Sequence, residues 1–318
     1  MSLRFLKEGA QRSKLLSFLD SDARMSALYR KIRETITNKN SKLPKRLRKW
    51  IRWNRIFLAA GLREALELMS SKTGRSDWPK VSLRVDREDM MYEIDPTHYF
   101  CVGYSALFCV EQALEKAAKT SVKSILDFGS GHGRVLRTLA ARFPHAALTA
   151  ADVNVAAVDF CAKAFGAAPV YSDANFSRLV FGTRFDLIWV GSLFTHMSAE
   201  RWTTLLKLFR SVLTEDGMAV FSTHGSEAER RLREGETRFY GLEPERIAKI
   251  LEEHGAHGFG YSDYRKSPGY GVSLSSPEWV SFQVTALGFE PVLYLKNAWD
   301  NHHDVWAVRL RQLRENLG

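Results

Sequence analysis

The sequence lacks a hydrophobic run long enough to cross a membrane. Its uncharged apolar runs, such as "IFLAAGL" at 56–62, are far shorter than the roughly 20 residues that a membrane-spanning helix needs. The first residues, "MSLRFLKEGAQRSK", also lack the apolar core of a secretory signal. These absences argue against a spanning protein and predict a cytoplasmic one.

Cysteine is scarce, with only Cys101, Cys109 and Cys161 in 318 residues. The three have neither an even count nor the spacing of metal ligands, and each lies in an apolar stretch. We therefore expect reduced cysteines in the core, and neither a disulfide framework nor a cysteine-based metal site.

Most of the chain has no excess of positive or negative charge. Residues 1–95 carry 22 Lys and Arg against 12 Asp and Glu, which accounts for the whole net charge of +10. Residues 96–318 are therefore neutral as a group. This asymmetry predicts a basic N-terminal extension over 1–95 and a main domain over 96–318.

The extension reads as helical, and its clearest helical element covers residues 43–69. Apolar residues recur there at helical spacing, and six Lys and Arg crowd positions 45–55. Three interpretations stay open: a packed helix with a solvated basic end, a segment at 45–70 that contacts an anionic membrane, and a nucleic-acid contact, which is less favoured. The second would place the protein peripherally at the inner membrane surface.

From about residue 120, short apolar strands alternate with helical patterns, which predicts an α/β fold with a doubly wound, mostly parallel sheet. Seven strands are expected. The last two, "EPVLYLK" and "VWAVRL", are too close in sequence for a crossover and must form an antiparallel hairpin. An insertion at about 224–275 predicts either a lid over a substrate or a structural β-ribbon.

The stretch "ILDFGSGHGRVLR" at 125–137 places three glycines between a strand and a helix. A dinucleotide site would want a small residue at 134, where Arg134 stands, and the Lys-Ser/Thr of a phosphate-binding loop is absent. The acid Asp127 repels phosphate but suits a cationic amine. A simple tight turn is the alternative interpretation of the glycines.

With "SLFTH" at 192–196, this D-x-G-x-G-x-G-R-V-L-R pattern resembles that of class I S-adenosylmethionine (SAM) methyltransferases of bacterial type. The resemblance covers residues 96–310 in outline. It implies SAM as cofactor and S-adenosylhomocysteine as product, and a sheet of seven strands whose last strand is antiparallel. The implied cofactor-binding residues are Tyr104, Asp127, Gly129, Ser130, Gly131, Gly133, Asp152, Val153, Asp173, Ala174, Gly191 and Ser192.

Several motifs of related enzymes are absent. The fourth strand ends in "GSLF" rather than Asn/Asp-Pro-Pro-aromatic, which argues against methylation of base amines, and no cysteine follows a proline, which argues against cytosine C5 transfer. Ser192 stands where metal-dependent catechol-type enzymes need an acid. We therefore expect no metal and a direct transfer to an oxygen or nitrogen lone pair.

Histidines near predicted strand ends are the candidate bases, because ligands bind at that edge of such sheets. His196 follows the fourth strand, and His302 with Asp304 lies in the last hairpin loop; structural roles are the alternative for all three. The sequence predicts O-methylation of a hydroxyl on a sugar, glycan or other small metabolite. RNA or protein methylation anchored by the basic region, and SAM binding without catalysis, are the alternatives.

Overall fold

The protein is described from a computed structural model, which places residues 22–38, 44–92, 95–173, 175–235 and 241–312. The chain divides into two compact units. The first comprises Met1–Trp78 and Met90–Cys101, and the second comprises Pro79–Asp89 and Val102–Gly318. The units therefore alternate along the sequence, and the domain boundary near residue 95 stays a prediction.

Within its described residues, the first unit is helical. Its helices are α1 (Asp22–Thr37), α2 (Lys45–Arg52) and α3 (Arg55–Thr73), followed by the start of α4 (Pro96–Lys116), which continues into the second unit. Tyr29, Ile36, Ile51 and Phe57 form a small buried cluster.

The prediction of one helical element over residues 43–69 is corrected by a break at Trp53 and Asn54. The Asn54 side chain accepts hydrogen bonds from the backbone N–H groups of Ile56 (2.9 Å) and Phe57 (3.4 Å), so it starts a new helix where the old one ends. Side chains at 45, 48, 49 and 52 lie outside the described set. Contact of this basic region with an anionic membrane stays a prediction.

The second unit contains the predicted seven-stranded sheet, with strands β1 (Ser124–Phe128), β2 (Ala147–Asp152), β3 (Ala168–Tyr171), β4 (Phe185–Val190), β5 (Leu213–His224), β8 (Phe289–Trp299) and β9 (His303–Leu310). Across the sheet they lie in the order β3-β2-β1-β4-β5-β9-β8. Every pair from β3 to β5 is parallel, whereas β9 is antiparallel to both of its neighbours, as the short hairpin connection requires. The predicted doubly wound, mostly parallel sheet of seven strands is therefore confirmed.

Helices pack on the sheet through apolar faces. In the helix that follows β4, Trp202, Leu205 and Phe209 are fully buried, as their helical spacing predicts. Burial of each such side chain contributes about 1.5 to 3 kcal/mol to the free energy of unfolding. The helices are α5 (Leu136–Arg142), α6 (Val155–Phe165), α7 (Ala199–Val212), α8 (Ser226–Arg233), α9 (Pro244–His257) and α10 (Pro277–Ala286).

In its described residues, the insertion after β5 contains α8, α9 and a two-stranded antiparallel ribbon, β6 (Phe259–Tyr264) with β7 (Ser267–Ser275). Ile250, Val272 and Leu274 give the insertion its own buried cluster. Two hydrogen bonds join β7 to the loop after β4, one from the Ser273 hydroxyl to the carbonyl of Phe194 at 3.1 Å and one that involves His196. The ribbon is thus fixed above the strand ends.

One edge of the sheet collects the C-terminal ends of β1 to β5 and the start of β9, because β9 runs opposite to the others. Ligands of open α/β sheets bind at this edge. Among the helices of the described ranges, none is both long and apolar enough to cross a bilayer.

Candidate active site

The turn after β1 requires glycine at three positions. Gly129, Gly131 and Gly133 have φ angles of 78°, 50° and 73°, in the left-handed region that disfavours other residues. A Cβ on Gly133 would press against Phe165 and Cys161. A Cβ on Gly131 would instead point into open space, which leaves room beside the backbone for a ligand.

Asp127 lies under this turn with only 2% of its surface exposed, and its Oδ2 has no hydrogen-bond partner. Desolvation by burial, with a smaller contribution from the charge of Asp152, raises the pKa of the Asp127 carboxyl to about 8. A buried, unsatisfied carboxyl oxygen fits a cationic amine, such as the ammonium group of SAM, because the cation would supply both charge and hydrogen bonds.

The end of β2 places Asp152 against the same turn. Its Oδ2 accepts a hydrogen bond from the N–H of Gly131 at 2.8 Å, and its Oδ1 accepts one from the N–H of Asn154, also at 2.8 Å. Each carboxylate oxygen retains a second lone pair that a ribose hydroxyl could use. The next side chain, Val153, is 65% exposed and offers an apolar surface beside it.

The other predicted cofactor residues lie at neighbouring strand ends. Asp173 is exposed and holds a turn by accepting from the N–H of Asn175 at 2.8 Å, whereas Ala174 is outside the described residues. Ser130, beside the first glycine, is buried, and its N–H donates to the carbonyl of Ala151 at 3.2 Å.

At the end of β4 the backbone turns sharply. A Cβ on Gly191 would collide with the indole of Trp299, and Ser192 itself is left-handed at φ 55°. The N–H of Ser192 donates to the hydroxyl of Ser222 on β5 at 2.8 Å. The chain therefore leaves β4 in a sharp turn, at the strand end where the cofactor is predicted to bind.

Residues 79–89 pack on the glycine turn, a feature that the sequence did not reveal. The guanidinium of Arg137, 1% exposed, donates to the carbonyls of Ser82 (2.8 Å), Arg84 (2.9 Å) and Gly133 (3.1 Å). The buried Tyr104 hydroxyl donates to the carbonyl of Pro79 at 2.8 Å. A contact of Tyr104 with the cofactor stays a prediction, since its hydroxyl is committed to this segment.

His196 lies between the end of β4 and the ribbon. Its Nδ1 donates to the carbonyl of Gly271 at 2.7 Å, and its ring stacks on Tyr270 with 4.8 Å between centroids. Because a carbonyl only accepts, the proton is on Nδ1 and the lone pair is on Nε2. Burial lowers the pKa of His196 from its ordinary value, so the imidazole is neutral and able to accept a proton.

Three further histidines meet at the ends of β5 and β9: His224, His302 and His303. The Nδ1 atoms of His224 and His302 donate to the carbonyls of Ser273 (3.1 Å) and Asp300 (2.7 Å). Burial lowers the pKa of all three imidazoles, well below the ordinary value for His224 and His303. Of these three histidines, His302 is the candidate base predicted above from the sequence.

Asp304 is buried, and both of its oxygens have partners. Oδ2 accepts from the hydroxyl of Tyr294 at 2.8 Å, and Oδ1 accepts from the N–H of Asn297 at 2.9 Å. Burial raises the pKa of the Asp304 carboxyl. These bonds brace the last hairpin, and a catalytic pairing of Asp304 with His302 stays a prediction.

Comparison with known proteins supports a methyltransferase domain in the part of the chain that contains the glycine turn. Residues 125–217 match a family model described as a methyltransferase domain. A curated relative, the release factor glutamine methyltransferase of Xylella fastidiosa (strain Temecula1), is 34% identical over 83 residues, which are 25% of this chain and 30% of that protein. The chain thus matches less than a third of the length of that relative.

Solved structures with related folds are more distant in sequence. A SAM-dependent methyltransferase from Clostridium acetobutylicum has 13% identity and a TM-score of 0.46, over 79% of this chain and 99% of its own. An O-methyltransferase family protein from Burkholderia thailandensis has 11% identity and a TM-score of 0.47, over 80% and 72%. The sheet order, the glycine turn with its buried acid, and the family match together support a SAM-dependent methyltransferase, with SAM as its cofactor.

Proposed function

We propose that the chain transfers the methyl group of SAM to a hydroxyl of a sugar, glycan or other small metabolite, with His196 as the general base. The observation that carries this proposal is the placement of His196. Its Nδ1 proton is held by the carbonyl of Gly271 at 2.7 Å. The opposite nitrogen, Nε2, is therefore the basic one, and His196 follows β4 at the sheet edge where the cofactor is predicted to bind.

In this proposal the acidic strand ends bind the cofactor. Asp127 pairs with its ammonium group, Asp152 accepts from the ribose hydroxyls, and Gly131 gives the space that the ligand crosses. Asp173 accepts from the adenine amino group at the end of β3. Bound SAM supplies an electrophilic methyl group on a sulfonium centre.

The protein then has to position the acceptor and remove its proton. A hydroxyl is a weak nucleophile, and a positioned base contributes about 10²- to 10⁴-fold to such a step. Nε2 of His196 accepts that proton, while the ribbon residues Tyr264 and Tyr270 contact the imidazole and hold its orientation. The insertion would act as a fixed wall for a small acceptor.

The alternatives differ in acceptor. The partial match to a release factor glutamine methyltransferase gives protein methylation a specific basis, but it spans only 25% of this chain. RNA methylation rests on the basic N-terminal region alone. Binding of SAM without catalysis would retain the glycine turn and leave His196 without a function.

The test is incubation of the purified chain with methyl-deuterated SAM and separate pools of glycans, small metabolites, protein and RNA, followed by mass spectrometry. We expect label on a hydroxyl in the glycan or metabolite pool. Label on protein or RNA would replace our acceptor with the alternative, and binding of SAM with no label in any pool would indicate a non-catalytic protein.

The role of His196 is tested with His196→Gln. We expect a loss of about 10²- to 10⁴-fold in turnover with unchanged affinity for S-adenosylhomocysteine by calorimetry. His145→Gln is the matched control, because His145 is exposed and precedes β2, at the opposite edge of the sheet. Equal turnover in the two variants would remove His196 from the mechanism.

A further inference from the structure

Three histidine side chains converge beside the proposed acceptor site. His224 ends β5 and is paired across the sheet with His303, the first residue of β9. One ring nitrogen from each of His224, His302 and His303 lies within 4.8 Å of one from each of the others. The ring centroids of His302 and His303 are 4.1 Å apart, and those of His224 and His303 are 5.0 Å apart.

The backbone of the last hairpin makes this convergence possible. Consecutive residues of a strand point to opposite faces, so two neighbouring histidines within β9 could not both approach His224. The strand begins only at His303, and the two residues before His302 are left-handed: Asp300 at φ 50° and Asn301 at φ 56°. Asp and Asn tolerate that conformation, and the turn brings His302 onto the same side as His303.

Hydrogen bonds select the ring nitrogen that carries the lone pair. The Nδ1 atoms of His224 and His302 face backbone carbonyls, at 3.1 Å and 2.7 Å. The protons are therefore on Nδ1, and the lone pairs are on Nε2. Metal-binding histidines are held in this way, with the second ring nitrogen donating to a carbonyl or carboxylate.

His303 provides an independent observation. It is 3% exposed, yet its Nδ1 has no hydrogen-bond partner. Buried polar atoms in folded proteins almost always have a partner, so an unsatisfied one calls for a specific explanation. Coordination of an ion through this nitrogen would satisfy it.

Contrary to the expectation of no metal from the sequence, we propose that His224, His302 and His303 bind one divalent transition-metal ion of the zinc type. Three imidazole donors suit Zn²⁺, Co²⁺ or Ni²⁺, whereas Mg²⁺ and Ca²⁺ require oxygen ligands. In tetrahedral geometry, nitrogens that are each about 2.0 to 2.1 Å from one zinc ion lie about 3.4 Å from one another. Small side-chain rotations would bring the three histidine nitrogens, now within 4.8 Å of one another, to that distance.

The ion would lie next to the proposed base. The ring of His224 is 6.3 Å from the ring of His196, centroid to centroid. Three protein ligands leave a coordination position open for water or a substrate oxygen, as in catalytic rather than structural zinc sites. The site therefore suits an oxygen-bearing acceptor, and binding of the ion itself does not depend on the proposed methyl transfer.

The experiment uses the untagged full chain after treatment with a chelator. Titration with Co²⁺ is followed by visible absorption, and titration with Zn²⁺ by calorimetry. We expect one ion per chain and the ligand-field bands of a four- or five-coordinate cobalt site. His302→Ala should weaken binding by at least about 100-fold, since even the outer partners of metal ligands contribute about 10- to 100-fold.

His145→Ala is the matched control, because it removes an exposed histidine at the opposite edge and should retain full binding. His302 is only partly buried and lies in a turn, so its variant is expected to fold, and S-adenosylhomocysteine affinity reports on that independently. Absence of Co²⁺ and Zn²⁺ binding by the wild-type chain, or equal binding in both variants, would overturn the proposal. Neither readout involves methyl transfer, so the proposal and the proposed function can fail separately.

Discussion

Two halves of one sheet edge carry different chemistry. The ends of β1, β2 and β3 present the carboxyl groups of Asp127, Asp152 and Asp173, whereas the loop after β4, the end of β5 and the start of β9 present histidines. Burial raises the pKa of Asp127 and lowers the pKa values of His196 and His224. Burial thus favours the neutral form of both kinds of group. A neutral carboxyl can ionise when a cation binds beside it, whereas a neutral imidazole already has a lone pair that can accept a proton.

Among substitutions in the acidic half of this edge, the largest loss of cofactor affinity is expected at the glycine turn. Gly131→Leu should weaken S-adenosylhomocysteine binding by more than about 100-fold, because the side chain would fill open space at a left-handed residue. Calorimetry measures the change. Gly166→Leu is the control, since Gly166 is also left-handed with nothing near its Cβ but precedes β3 at the opposite edge. Equal losses in both variants would indicate backbone strain rather than a cofactor contact.

A smaller loss is expected for Asp152→Ala. Removal of charge-assisted hydrogen bonds to the ribose should weaken binding by about 1 to 3 kcal/mol. Asp152→Asn keeps one acceptor oxygen for the N–H of Gly131 and should fall between the alanine variant and the wild type. Wild-type affinity in Asp152→Ala, measured by the same titration, would remove Asp152 from the cofactor site.

The pH dependence of stability tests the buried acid. The folded-state pKa of Asp127 is about 8, above the ordinary 3.8, so the folded state binds more protons between these values. The contribution of Asp127 to the stability of the ligand-free protein is full below pH 3.8 and is lost as pH rises toward 8. Asp127→Asn should therefore raise Tm more at pH 8 than at pH 5, which thermal unfolding would show.

Ligand binding should reverse the state of this carboxyl. A cationic ammonium beside Asp127 favours the ionised form, so S-adenosylhomocysteine binding at pH 7 should release a proton. Titrations in buffers of different ionisation enthalpy would detect it. The same proton release in Asp127→Asn would assign it to another group.

The smallest effect is expected when Mg²⁺ is added to test the histidine half of the edge, with thermal stability as the measured quantity. The cluster of ligating side chains found within the described residues consists of histidines, which are poor ligands for a hard cation. Mg²⁺ should leave the Tm of the chelator-treated chain unchanged, whereas Zn²⁺ should raise it by mass action. A rise with Mg²⁺ alone would contradict the nitrogen-ligand assignment.

Local patterns predicted the sheet and the glycine turn, because strand periodicity, glycine spacing and a short hairpin connection are all visible in one stretch of sequence. The packing of Arg137 on the carbonyls of residues 82 and 84 was not predictable, since backbone acceptors leave no residue signature. The histidine cluster depends on the register between β5 and β9. That register pairs His224 with His303, and no spacing rule connects them.

The position of β9 between β5 and β8 has a consequence for how the protein is made. β9 follows every other strand of the sheet in sequence, yet it covers one edge of β5. Until the β8–β9 hairpin emerges from the ribosome, the backbone groups along this edge of β5, including those of Val220 and Phe221, have no partner strand. Such an unpaired apolar edge favours association with other chains. We expect a transient need for chaperone protection of this sheet until the hairpin has been synthesised and has paired with β5.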